Sequence, residues 1–317
     1  MPDFTADLLN RPAVLAASTV ALAQLDHATA AAARLSDRTD PEALHDFRVA
    51  VRRLRATLRG YPGLRERVPG KLRRRLRNLA RTTNSAREAE VQIAWFRDRS
   101  PGFTLSERAA LGPLRGRLRA RRRRAVAATQ HKLQERFEKL ERKLRRRLVA
   151  LQSDAGSHDV PFRAVAAATL VHHANDLKRR FSAVLPASEP AELHAARIAA
   201  KRLRYLLEPV ASSLANGRPL VQRLKELQDL FGELTDAHAL EPLLKEAGAG
   251  AAPAANLLRN AVAALSTQLR DEWSEAGREL EREVERAARQ LRPARKTPPA
   301  PPRRRRLRRG VVGGFAP

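Results

Sequence analysis

The stretch HDFRVAVRRLRATLR, His45 to Arg59, decides how this chain is read. His45, Arg48, Arg52, Arg55 and Arg59 stand at offsets 0, 3, 7, 10 and 14, and Leu44, Phe47, Val51, Leu54 and Leu58 repeat that series one residue earlier. At about 3.6 residues per turn, both series fall on one helix as neighbouring stripes, one basic and one apolar. The apolar stripe must pack against another element, which leaves the basic stripe at the rim of a packed surface. A near copy, HAARIAAKRLRYLLE, begins 149 residues later at His194. It sets His194, Arg197, Lys201 and Arg204 along one face, with Arg202 on the flank as Arg53 is in the first copy. Like charges three or four residues apart repel by roughly a few tenths of a kcal/mol per pair, so each stripe is mildly destabilising until an anion lies on it. Both helices read as ligand surfaces.

Composition gives the sign of the ligand. Across 317 residues, 62 Lys and Arg face 34 Asp and Glu, for a formal net charge of +28. Such an excess opposes compaction unless a polyanion or counterions neutralise it. Arginine dominates the basic set, and its planar fork suits phosphate oxygens. Aromatic residues make up only 4%, which argues against the stacking platforms of single-stranded nucleic-acid binders. Duplex DNA can be held through phosphate alone, so nonspecific nucleic-acid binding stands as the alternative reading. There is no cysteine, hence no disulfide and no thiolate metal site. No stretch is long and apolar enough to span a membrane, and no secretory signal opens the sequence, so the expected compartment is the cytoplasm.

The chain in order reads as helices throughout. An Ala-rich helix is expected from Pro12 to about Leu35, and Asp40 is the expected N-cap of the helix that carries the opening motif. YPG at 61–63 ends that helix, with a loop continuing to PG at 69–70. One helix is expected from Lys71 to about Trp95, then a long charged segment from Leu105 to Ala150 that is one helix or two. Within it, Leu133, Phe137, Leu140, Leu144 and Leu148 recur at helical spacing, enough to bury one side. Residues 152–160 form the best linker candidate. Beyond it the order repeats in outline: helices over about 162–184, from Ala191, from Pro219 through LKELQDLFGELTDAHAL, and over about 254–292. The expected division is 1–151, 160–292 and a basic, disordered tail at 293–317.

Catalysis finds little support in the pattern. There is no HExxH, no carboxylate cluster of the kind that holds divalent metal, and no GxxxxGK[ST] loop. Asp46, Glu88, Asp229 and Asp236 are scattered among basic residues, which suits structural ion pairs. His45 and His194 lie in first helical turns, where the positive helix end favours the neutral ring. They are expected to bond or orient rather than to carry permanent charge. A non-enzyme without cofactor or metal is the expectation.

The two motifs resemble the duplicated signature of the CHAD family, the conserved histidine α-helical domain. HDFRVAVRRLR at 45–55 is similar to the first family motif and HAARIAAKRLRY at 194–205 to the second. Two later segments echo the family's further motifs: ARTTNSAREAEV at 80–91, with Arg87-Glu88 where the family usually has Arg-Asp, and LQDLFGELTDAHAL at 227–240. The resemblance covers about residues 10–292. It implies an all-α fold of two tandem four-helix bundles with pseudo-twofold symmetry and long antiparallel helices. It also implies a basic groove that binds inorganic polyphosphate, and an association with polyphosphate granules and their proteins. By position, His45, Arg48, Arg52, Arg53 and Arg55 match the first polyphosphate-contacting helix, and His194, Arg197, Lys201, Arg202 and Arg204 the second. Arg77, Arg81, Arg223 and Lys225 are the matching additions from adjoining helices.

Overall fold

The computed structural model describes residues 7–37, 40, 42–153, 160–187 and 190–292. Regular structure among them is helical: α1 (Ala13–Ala33), α2 (Ala43–Gly60), α3 (Pro62–Arg67), α4 (Gly70–Thr82), α5 (Asn84–Arg99), α6 (Leu105–Ala110), α7 (Gly112–Ser153), α8 (Phe162–Ala187), α9 (Pro190–Leu207), α10 (Gly217–His238), α11 (Glu241–Glu246) and α12 (Ala252–Leu291). The all-α class is as the sequence predicts. None of the described helices is long and apolar enough to cross a membrane. The expected tail at 293–317 lies outside the described residues.

The opening motif forms α2 for the reasons its spacing gives. The Asp40 carboxylate accepts from the backbone N–H groups of Glu42 and Ala43, each at 3.0 Å, so it makes the bonds expected of it, while the helix itself begins at Ala43 with Glu42 in the cap position. Phe47, Val51, Leu54 and Leu58 are buried, each contributing about 1.5–3 kcal/mol relative to exposure. The periodic Leu133, Phe137, Leu140, Leu144 and Leu148 of α7 are buried as well. Phe47 meets Phe137 edge to face, with ring centroids 5.0 Å apart.

Two expectations change in detail. The loop between Tyr61 and Gly70 contains the short helix α3, because Pro62 presets a helical first residue and Leu64 and Val68 are buried beneath it. The single helix expected over 71–95 is two, α4 and α5, parted at Thr83. There the Thr82 and Thr83 hydroxyls donate to the Leu79 and Ala80 carbonyls, a local bonding pattern that competes with the helical ladder.

Helix contacts mirror each other in the two halves. In the first, α1 packs on α2 and α7, α2 on α4, and α4 and α5 on α7; in the second, α8 packs on α9 and α12, and α10 on α9 and α12. One hydrophobic cluster runs through both halves, joined where α1 meets α8 and α2 meets α9. A second cluster joins Trp95, Phe103 and Leu114 of the first half to Leu240, Leu244 and Leu258 of the second. The α2–α9 crossing is close at Gly60, where an added Cβ would lie 2.5 Å from Leu206 Cδ2. Beside it the buried Tyr61 hydroxyl donates to the Leu206 carbonyl at 3.3 Å. The two motif helices are therefore neighbours in space.

Candidate functional site

Because α2 and α9 cross with their apolar stripes buried, their basic stripes meet in one wall. Arg52 of α2 lies close enough to Arg197 and Arg204 of α9 to be repelled by both, and Lys201 is close enough to Arg197, Arg52 and Arg204. Burial lowers the pKa of Arg52, and those neighbours lower it further. Lys201 responds as well. Burial, with Arg197 and Arg52 next in size, pushes its ammonium down to about 6, against only Asp236 acting the other way. The Nε atoms of Arg52 and Arg197 are buried without a hydrogen-bond partner. This is a surface with more cation than it can neutralise.

The remaining predicted residues divide by what holds them. Arg48 donates through Nη1 to the Thr83 carbonyl and, at 2.8 Å, to the Thr83 hydroxyl, so it closes the joint between α4 and α5. Burial pushes it down to about 10, with repulsion from Arg52 and Arg87 adding. Arg197 reaches Asp236 at 3.3 Å and lies against Gly232, where an added Cβ would be 3.0 Å from its Nη2. Arg53 is committed to Glu208, at 2.7 Å through Nε and 3.2 Å through Nη2. Burial works against its charge, but the Glu208 hydrogen bonds outweigh it and hold the guanidinium above its ordinary value. Arg204 shares the same carboxylate at 3.6 Å. Tyr205 is buried between the two, its ring centroid 5.7 Å from the Arg53 guanidinium and 4.9 Å from that of Arg204.

Arg55 and Arg202 continue the wall along its other side. Burial, then Arg59 and Arg77, lowers Arg55. Burial, then Arg59, lowers Arg202, whose carboxylate partner among the described residues is Asp176, distant at 3.9 Å. Arg77 joins Arg55, Arg59 and Arg74 around a shallow groove of about 350 Å3. His45 stands exposed in the first turn of α2, and His194 stands exposed just past the first turn of α9. The expected depression at His194 is present, but its causes are burial and the adjacent Arg197 and Lys201.

The structure does not bring every predicted residue to the wall. Arg223 faces α12, where it pairs with Glu279 at 2.9 Å and Glu283 at 3.6 Å. The groove around it also carries Glu226, Asp229, Glu233 and Glu272, a setting hostile to polyanions. Arg81 and Lys225 are exposed, with no carboxylate pairing among the described residues. Sequence reasoning missed Glu208, Tyr205, Gly232 and Arg87 as parts of the site. Glu208 had a readable signal, since it stands four residues after Arg204. Of the scattered carboxylates, Asp46 pairs with Arg34 at 2.6 Å and Glu88 with Arg121 at 3.0 Å, the structural role their surroundings suggest.

A family model for the CHAD domain matches residues 19–245, most of the chain. A crystal structure of the CHAD domain from the plant Ricinus communis matches with a TM-score of 0.59 at 23% sequence identity, over 90% of this chain and 96% of that one, which is a likeness of fold. No curated protein matches. The family is associated with polyphosphate binding. With both motif helices inside the matched segment, the chain belongs to the CHAD domain family.

Proposed function

We propose that this chain binds inorganic polyphosphate along the wall of α2 and α9 and performs no chemistry on it. The carrying observation is the under-compensated group of Arg52, Arg197, Lys201 and Arg204, drawn from both motif copies, whose neighbouring carboxylates among the described residues are Asp236 and Glu208. A linear polyanion offers repeated charge and no bases, so it needs donors along a track rather than stacking rings. The bound chain would restore full charge to Lys201 and give the buried Nε atoms of Arg52 and Arg197 an acceptor. Cytoplasmic location at polyphosphate granules belongs to the same reading.

Fluorescence anisotropy with labelled long-chain polyphosphate at about 0.15 M salt tests it, in the ionic range where diffuse surface charge is screened. Saturable binding, with polyphosphate displacing duplex DNA far more readily than the reverse, is the expected result. Absence of binding by folded protein overturns it. Shortening of the polymer on incubation with divalent metal would make the protein an enzyme instead.

A further inference from the structure

A pocket of about 690 Å3 opens where the end of α2 and the start of α3 face α8. Its chemistry differs from that of the wall. Ala164, Val165 and Ala168 of α8, with Val160 before it and Gly60 and Pro62 opposite, give it an apolar lining. Polyphosphate has no apolar part and makes no use of such a surface. Val160 is 58% exposed, one of few large apolar side chains so open to solvent. Three guanidiniums, Arg59, Arg65 and Arg202, stand around the same space, and only Arg202 has a carboxylate nearby among the described residues, at 3.9 Å. His172 and His173 pack edge to face at 5.1 Å between these two kinds of surface. Burial, then Arg202 and His172, pushes His173 down to about 4, so at neutral pH it offers a ring and not a charge.

Small-molecule sites are concave and mainly apolar, hold a few convergent polar groups, and enclose about 300–1,000 Å3. This pocket has each feature, and its polar groups are cationic. We propose that it is a second binding site, for an organic anion with an apolar body and a single acidic group: the body rests on Ala164, Val165 and Ala168, and the acid meets Arg59 and Arg202. A neutral ligand would leave three guanidiniums unanswered. A bare inorganic anion would leave the apolar lining wet. The pocket shares Arg202 with the wall, but its test stands apart from the polyphosphate reading, because the probe carries one charge and the discriminating substitutions lie off the wall.

Calorimetry on the intact chain with naphthalene-1-sulfonate, against methanesulfonate and 1-naphthalenemethanol, tests it. The expected result is saturable binding of one naphthalenesulfonate per chain, with both partial analogues at least about tenfold weaker, since each lacks one of the two interactions. Ala168→Phe fills the space and removes binding, and Ala164→Leu gives the same loss if the first variant folds poorly. An unchanged helical circular-dichroism spectrum and thermal midpoint show that either variant is intact. Equal binding of methanesulfonate, indifference to both filling substitutions, or no saturable binding at millimolar probe overturns the site.

Discussion

The two halves place the same motif differently. In the first, Arg48 is held by the backbone and hydroxyl of Thr83, at a break between α4 and α5. In the second, its counterpart Arg197 meets an unbroken α10, where Gly232 makes room and Asp236 supplies a carboxylate. Glu88, which follows the break in the first half, turns instead to Arg121 of α7. One turn further along, the first half has Arg52 and the second Lys201. An arginine remains charged under nearly any burial, whereas a lysine yields its proton when the cost of desolvation is high enough. The first half therefore sets a permanent cation, Arg52, beside an arginine tied to backbone, and the second an adjustable cation, Lys201, beside an arginine tied to a side chain. Proton sensitivity belongs to the second half.

Four substitutions break or sharpen that contrast. The largest effect falls where the halves share one carboxylate. Glu208→Gln leaves Arg53 and Arg204 without it, at a cost of about 2–3 kcal/mol given that Arg53 is only partly buried. Chemical denaturation should show that loss, and added polyphosphate should restore part of it. Full stability in the variant would mean the shared pair is incidental.

Next comes pH. The folded-state pKa of Lys201 is about 6 against an ordinary 10.5. Between those values the unfolded chain binds the extra proton, so this residue makes stability rise with pH across that window. Below about 6 it is charged in both states and the dependence is gone. A bound polyanion stabilises the charged form, so binding above that value takes up a proton, and affinity falls by up to about tenfold per pH unit. Arg197 and Arg204 on its own helix, Arg52 of α2 and Asp236 of α10 face it, and only Asp236 favours its charge. Lys201→Arg should flatten polyphosphate affinity between about pH 7 and 8; an unaltered slope would assign the proton elsewhere.

Gly232→Ala is smaller and divides two readouts. Alanine favours the helix by about 1 kcal/mol, while the new Cβ presses on Arg197 Nη2 at 3.0 Å. Thermal stability should hold or increase while polyphosphate affinity falls severalfold. Thr83→Val is the smallest. Arg48 keeps the backbone carbonyl and loses one hydroxyl, and the Thr83 bond to the Ala80 carbonyl goes with it, a change of about 1 kcal/mol in thermal unfolding.

Much of this was legible in the chain. The buried face of α2, the Asp40 cap and the apolar seam of α7 follow from spacing and end chemistry, which are local properties. The identity of the wall followed from the repeated stripe, since helices with matched apolar sides have reason to pack together. What escaped was non-local. Arg223 looks like a site cation in its own helix, and only Glu279 and Glu283, over fifty residues later, take it away. Gly232 acquires meaning only against a side chain from α9. The break at Thr83 rests on hydroxyl bonding that propensity alone does not register. Glu208 reads as one acid in a basic helix until Arg53, 155 residues away, arrives beside it.

The central claim is that polyphosphate is held by a wall drawn from both motif helices and not by diffuse charge. The direct measurement compares three chains at about 0.15 M salt: the intact protein, the Arg52→Glu/Lys201→Glu variant, and a chain ending at residue 292. Arg197 and Arg204 stand beside the introduced carboxylates, and an unchanged circular-dichroism spectrum checks that the double variant keeps its fold. The account predicts a loss of about a hundredfold or more in polyphosphate affinity for the double variant, the size of two charge-assisted contacts, and little change for the shortened chain. Near-intact binding by the double variant, with the loss falling on the shortened chain, would contradict it.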